Sequence, residues 1–162
     1  DFETTIDLTI DAFIPDTYIS NEYQKLDIYK RIAGIESQQD YDDMLEELLD
    51  RFGEMPKAVL NLLAIARMKA LAHLSYVTEI KQIGRDMRIT LYEKAHIDPA
   101  GIPVLMQKYR RGLQFKAEQE PKFIYTPQGR PLEALTDFLT ELNSLVEELG
   151  ICAKCVKNHG IL

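Results

Sequence analysis

Near residue 76 the apolar pattern of this chain changes from a helical period to alternation, and this change constrains the fold more than any other feature. Before it, three segments repeat apolar residues every three or four positions. After it come two pairs of short alternating segments, each pair joined by a turn. The predicted order is one strand, three helices, a hairpin, a helix, a second hairpin and a final helix. This order favours an α+β fold, with an antiparallel sheet built from hairpins and packed against several helices.

The second helix is the best marked element of the helical N-terminal half. Ser37 and Asp40 have a spacing that resembles a capping box, and Gly53 fits the left-handed position that ends a helix. Between them lies one apolar stripe, made of Tyr41, Met44, Leu45, Leu48, Leu49 and Phe52. We therefore predict a helix from residue 38 to residue 52 with this stripe in the core.

The neighbouring elements are predicted from the same kinds of pattern. Residues 5–11 alternate between polar and apolar side chains, which predicts a half-buried strand. A helix over about 21–34, with Ser20 as its N-cap, has the stripe Leu26, Tyr29, Ile32 and Ala33. Residues 59–74 are apolar nearly all round, so this third helix should pack on several sides.

The C-terminal half is predicted to hold two hairpins and two helices. The expected segments are strands at 77–83, 87–92, 113–117 and 122–125, and helices at about 98–109 and 131–149. We expect one α+β domain over residues 1–150, cut from a longer chain. Its helical part spans about 12–76, its sheet-and-helix part spans about 77–150, and 151–162 form a flexible tail.

The distribution of charge limits the partners that this chain can bind. The net charge is −7, and residues 1–56 hold 15 acidic and 4 basic residues, against 11 and 15 in residues 57–162. An acidic N-terminal third should repel the phosphates of a duplex and could attract a basic protein surface. A solvated helical surface without a partner is the alternative. Basic residues flank Tyr92 and Tyr109, a weak cue for nucleic acid that solvent exposure also explains: Arg85, Arg88, Lys108, Arg110 and Arg111.

Common catalytic signatures are missing from the sequence. There is no glycine-rich phosphate loop, no G-x-S-x-G elbow and no H-E-x-x-H. Asp7 and Asp11 share the polar face of the first strand, but no third metal ligand lies near them in sequence. The polar side of the second helix carries Asp42, Asp43, Glu46, Glu47 and Asp50. These carboxylates should face water, which favours a partner surface or a solvated face over catalysis.

The tail carries a second possible site, Cys152 and Cys155 followed by His159. This spacing could supply three zinc ligands, but a closed structural site normally has four. Thioredoxin-like chemistry needs the cysteine pair at the start of a helix, whereas here it follows the last helix. We expect an inert tail and no metal or other cofactor in this domain. Two cysteines without a secretion signal, and no apolar run of about 20 residues, fit a cytoplasmic protein without a membrane segment.

Several residue runs match a known pattern in combination. They are Tyr29-Lys30-Arg31-Ile32-Ala33, Glu47-Leu48-Leu49-Asp50-Arg51-Phe52-Gly53, Pro56 and Leu62-Leu63-Ala64-Ile65-Ala66-Arg67. Together they resemble the C-terminal domain of the bacterial transcription-repair coupling factors (Mfd). The resemblance covers about residues 3–149, is weaker after Lys81 and leaves out the cysteine-containing tail.

The resemblance implies a regulatory role without catalysis. Members of the family are ATP-driven DNA translocases that displace stalled RNA polymerase and recruit the excision-repair protein UvrA. ATP and Mg²⁺ would then belong to a motor upstream of this domain. The C-terminal domain would dock on the N-terminal UvrB-like module of the same chain, mask the UvrA-binding surface and restrain the motor. No direct contact with nucleic acid is expected of this fragment.

Three residues near the end of the second helix are the candidate interdomain interface: Glu47, Asp50 and Arg51. Alternatively, Arg51 pairs with Glu47 four residues away and Asp50 only faces solvent. Two other functions remain open at this point. The chain could be a generic protein-binding module with a partner on another chain, or a small metal-dependent hydrolase.

Overall fold

The computed structural model describes residues 1–147, and their elements follow the predicted order. In chain order they are β1 (Thr5–Asp7), α1 (Glu22–Ala33), α2 (Gln38–Phe52), α3 (Lys57–Leu74), β2 (Val77–Ile83), β3 (Asp86–Leu91), α4 (Gly101–Tyr109), β4 (Leu113–Lys116), β5 (Lys122–Tyr125) and α5 (Pro131–Asn143). A short 3₁₀ turn, Arg110–Gly112, joins α4 to β4.

The chain divides into two compact units. The helical unit is Leu8–Leu71 and contains α1, α2 and most of α3. Within the described residues, the sheet unit consists of Asp1–Asp7 and residues 72–147, and it contains the five strands, α4 and α5. The predicted candidate interface on α2 therefore belongs to the helical unit.

The sheet unit has one five-stranded sheet in the order β1-β2-β3-β5-β4. Both predicted hairpins are present, and the turn between β2 and β3 is tight because Gly84 adopts a φ of +62°. All neighbouring strands are antiparallel except β1 and β2, which run parallel. The predicted α+β class is confirmed. The predicted first strand, 5–11, was too long, because only Thr5–Asp7 pair with β2.

Helix α5 packs one apolar face into the sheet unit through four buried residues, Leu135, Phe138, Leu139 and Leu142. Its predicted end at residue 149 is wrong, because α5 stops at Asn143. The Asp98 N–H donates to the Leu145 carbonyl at 2.8 Å, and Val146 forms an isolated bridge with Ile97. These contacts draw the chain out of the helix although its apolar period continues.

The helical unit has its own core, contributed by α1, α2, α3 and the segments on either side of α1. Its buried residues are Ile14, Ile19, Ile28, Ile32, Ile35, Met44, Leu48, Val59 and Leu63. The N-cap of α1 is Asn21, whose side chain accepts from the Gln24 N–H, and not Ser20 as predicted. Leu26 is 56% exposed, so Ile28 replaces it in the buried stripe of α1.

None of the helices in residues 1–147 is both long and apolar enough to cross a bilayer. The predicted flexible tail, with Cys152, Cys155 and His159, lies outside the described residues.

Candidate partner-binding surface

Helix α2 presents the candidate interface, and its two ends are fixed by the capping residues that the sequence predicts. The Ser37 hydroxyl accepts from the Asp40 N–H at 3.1 Å, and the Asp40 carboxylate accepts from the Glu36 N–H at 3.0 Å. Gly53 ends the helix with a φ of +83°. Met44 and Leu48 are the buried residues of α2, so its acidic side faces outward.

The outward side of α2 carries a shallow, open depression of about 560 Å³ that is lined by residues of α2 itself, and we call it the α2 groove. Its lining residues are Asp43, Glu46, Glu47, Leu49 and Asp50. Within residues 1–147, no basic side chain forms an ion pair with Asp43, Glu46 or Asp50. The groove therefore presents three carboxylates whose charge is not neutralised by a neighbour in the described chain.

Glu47 differs from these carboxylates because two arginines hold it. Arg31 of α1 contacts both of its carboxylate oxygens, with Nη2 at 2.6 Å from Oε1. Arg51 donates from Nη1 to Oε2 at 2.8 Å. The hydrogen bonds from Arg31 and then Arg51 lower the pKa of Glu47 from 4.5 to about 2. Glu47 thus stays ionised, and its side chain links α1 to the end of α2.

The end of α2 is also tied to the core of the helical unit. The Tyr18 hydroxyl lies 3.1 Å from the Leu48 carbonyl oxygen and 2.9 Å from the Gly53 carbonyl oxygen. The Arg51 guanidinium lies 4.9 Å from the centre of the Phe52 ring, within the range of a cation–π contact. These contacts fix the last turn of the helix, where the candidate residues lie.

The structure brings two of the three candidate residues together and leaves the third apart. Glu47 and Arg51 form the local pair that the four-residue spacing allows, whereas Asp50 is exposed in the groove. Arg31 completes the Glu47 cluster and was not among the candidates. It lies 16 residues from Glu47, so no local spacing rule points to the pair. The role of the three residues in an interface stays a prediction.

The predicted burial of Leu49 is wrong. Leu49 is 55% exposed and lines the acidic groove, whereas Leu48 is fully buried and Leu45 packs against the core. The stripe predicted for α2 is wider than the face that the unit can cover. An exposed leucine is therefore part of the candidate surface.

The carboxylates that suggested a hydrolase do not converge. In residues 1–147, no group of three His, Cys, Asp or Glu residues is placed so that it could hold a metal ion. Asp7 and Asp11 are both exposed, and only Asp7 lies within β1. The structure therefore offers no geometric support, in the described part, for a carboxylate metal site.

A second groove, of about 520 Å³, lies in the sheet unit beside α5. Tyr109 lines it, and burial together with a hydrogen bond to Glu141 raises the pKa of this phenol. Lys108 pairs with Glu141, and Arg130 lies 3.2 Å from Glu133. Within residues 1–147, Asp137 is the carboxylate of this groove that lacks an ion pair, whereas the α2 groove has three such carboxylates, so the α2 groove is the stronger candidate for a basic partner.

The fold and the α2 segment define a recognised class of domain. The chain matches the family model described as the TRCF domain over residues 8–102, which is more than half of its length. It therefore belongs to the TRCF domain family. The transcription-repair-coupling factor of Bacillus subtilis (strain 168) is 40% identical over 139 residues, which cover 84% of this chain. That of Staphylococcus aureus (strain USA300) is 33% identical over 161 residues, or 96% of this chain.

A solved structure agrees with these relatives. It is described as the crystal structure of the C-terminal domain of transcription-repair coupling factor, and it matches with a TM-score of 0.71 at 27% identity. The match covers 89% of this chain and 94% of the solved chain. The present chain spans only 12% of the length of each of these two curated relatives. It thus corresponds to a C-terminal domain of a transcription-repair coupling factor, and the resemblance seen in the sequence is confirmed.

Proposed function

We propose that this domain is a non-catalytic regulatory module that docks on the N-terminal UvrB-like module of its own parent chain. In the docked state it masks the UvrA-binding surface and restrains the motor. The parent protein is an ATP-dependent DNA translocase that acts on stalled RNA polymerase in the cytoplasm, with ATP and Mg²⁺ bound in the motor. Docking favours the closed state only through contacts that are lost on opening.

The observation that carries this proposal is the α2 groove. Asp43, Glu46 and Asp50 face outward without a basic partner in the described chain. Like charges that are four residues apart, such as Glu46 and Asp50, destabilise a helix by about 0.2–0.5 kcal/mol. A basic surface that covers the groove removes this repulsion, so docking gains from the same charges that strain the free helix.

Charge reversal in the full-length coupling factor tests the proposal. We expect Asp50→Lys to raise both the basal ATPase activity and the affinity for UvrA, because it places a cation against a basic partner. Charge reversal at Glu47 should also raise the basal ATPase activity and the affinity for UvrA, since it disturbs the positions of Arg31 and Arg51. Asp11→Lys is the matched control, because Asp11 is also an exposed aspartate of the helical unit and does not line the groove. Wild-type values for folded Asp50→Lys would contradict the proposal.

The alternative is a partner on another chain, which the same acidic groove could also bind. Binding of the separately produced UvrB-like module, measured at several salt concentrations, distinguishes the two. Steep weakening with salt supports docking through the acidic groove, since exposed charges are screened over about 8–10 Å at physiological ionic strength. Absence of binding, together with capture of a different protein by the same groove, favours the alternative.

A further inference from the structure

Leu49 occupies an unusual position for an exposed leucine. A single exposed apolar side chain is common on protein surfaces and needs no explanation. Leu49, however, is 55% exposed inside a groove whose other lining residues are all acidic. Leu26 on α1 is exposed to the same degree, 56%, and does not line the groove. The two leucines are a matched pair that differ in their surroundings.

The helical unit does not need Leu49 for its core. Leu48 fills the buried position on this turn with no exposure, and Leu45 and Phe52 pack against the core cluster. A polar residue at position 49 would therefore leave the core intact. The apolar side chain gains burial only when another surface covers the groove.

The carboxylates around Leu49 indicate the chemistry of the covering surface. Asp50 lies in the last turn of α2, where the helix dipole disfavours negative charge. The two nearby arginines, Arg31 and Arg51, do not neutralise the charge of Asp50, because both are paired with Glu47. Charge complementarity thus requires a partner with lysine or arginine side chains at the rim of the contact.

On the basis of the proposed docking function, we infer that Leu49 is the apolar anchor of the interface. The partner is the UvrB-like module of the parent chain. Its surface carries an apolar recess that receives Leu49, and basic side chains border this recess and face Glu46 and Asp50. Stable interfaces commonly combine a small apolar centre with a polar rim, and the centre contributes most of the binding free energy. The candidate interface therefore includes a residue that carries no charge.

The test compares Leu49→Ala with Leu26→Ala in the full-length coupling factor. Both changes shorten an exposed leucine on a helix and keep a strong helix former, so the fold should survive in both variants. We expect Leu49→Ala to raise the apparent affinity for UvrA by up to about tenfold, because loss of the anchor increases the open population. Leu26→Ala should leave this affinity within about twofold of the wild-type value.

Measuring the affinity for UvrA at several salt concentrations distinguishes the apolar contribution of Leu49 from the contribution of the charged residues. The effect of Leu49→Ala should persist as salt rises, whereas the effect of Asp50→Lys should shrink. Suppose that Leu49→Ala leaves the affinity for UvrA as Leu26→Ala does, while Asp50→Lys still increases it. The assignment of Leu49 as the anchor is then wrong, and the docking function stands. If neither Leu49→Ala nor Asp50→Lys changes UvrA affinity, the docking function fails and the anchor fails with it.

Discussion

Replacement of Glu47 by glutamine should destabilise the domain at neutral pH, and this effect should be mostly lost near pH 2. The substitution keeps the size of the side chain and removes the charge that holds Arg31 and Arg51. The pKa of Glu47 falls from 4.5 to about 2 in the folded chain. A carboxyl whose pKa is lowered on folding stabilises the fold above its unfolded pKa. This contribution is therefore full above about pH 5 and is lost as the pH falls from 4.5 towards 2.

The magnitude follows from the pKa shift and from the exposure of the three side chains. One pKa unit corresponds to 1.36 kcal/mol, so the whole shift would amount to about 3 kcal/mol. The side chains of Glu47, Arg31 and Arg51 are 31%, 41% and 38% exposed, and solvent screens ion pairs of this kind strongly. We therefore expect Glu47→Gln to lower the free energy of unfolding by about 1–2 kcal/mol at pH 7.

Urea denaturation of the two proteins at pH 7, 4 and 2.5 measures this difference. Glu46→Gln is the control, since Glu46 lies on the same helix without an ion-pair partner in residues 1–147, and its effect should stay within about 0.5 kcal/mol. The difference between wild type and Glu47→Gln should shrink as the pH falls. A loss of stability that is equal at pH 7 and pH 2.5 would show that the arginine cluster is not its cause.

Three further substitutions test the fold, each by urea denaturation at pH 7. Gly53→Ala should cost about 1–3 kcal/mol although nothing obstructs a Cβ there, because a φ of +83° strains any other residue; an unchanged midpoint would contradict this. Tyr29→Phe should lower the free energy of unfolding by about 1–3 kcal/mol, since the buried Ile14 N–H donates to the Tyr29 hydroxyl at 2.7 Å. An unchanged free energy of unfolding would mean that a water molecule accepts from the Ile14 N–H in place of the hydroxyl. Phe138→Ala should cost about 3–5 kcal/mol, because its fully buried ring packs 5.4 Å from Phe123; a smaller loss would indicate collapse of the cavity.

Local signals predicted the elements well where the caps and the apolar period agree. Ser37 and Gly53 mark the two ends of α2 because each satisfies or permits a backbone geometry within a few residues. The end of α5 could not be predicted in this way. The apolar period continues past Asn143, but the hydrogen bond from Asp98 to Leu145 withdraws the chain from the helix, and this contact spans 47 residues. The parallel pairing of β1 with β2 likewise depends on residues that are far apart in sequence.

The candidate site shows the same division between local and distant information. The spacing of four residues predicts the pair of Glu47 and Arg51, and this pair is present. The contact of Glu47 with Arg31 depends on how α1 and α2 pack, which the sequence pattern does not specify. The exposure of Leu49 has the same origin, because only the packed unit decides how wide an apolar stripe it can cover.

Glu47 and Asp50 are expected to play different roles, because their surroundings differ. Glu47 already contacts two guanidinium groups, so a partner would gain little from approaching it with another cation. Asp50 has no such neighbour within residues 1–147, and it lies at the C-terminal end of α2, where the helix dipole disfavours its charge. Substitution of Glu47 should therefore act first on stability, whereas neutralising Asp50 should leave the free domain as stable or slightly more stable and weaken docking. A side chain that strains its own helix gains most from a partner, which makes Asp50 the more direct contact.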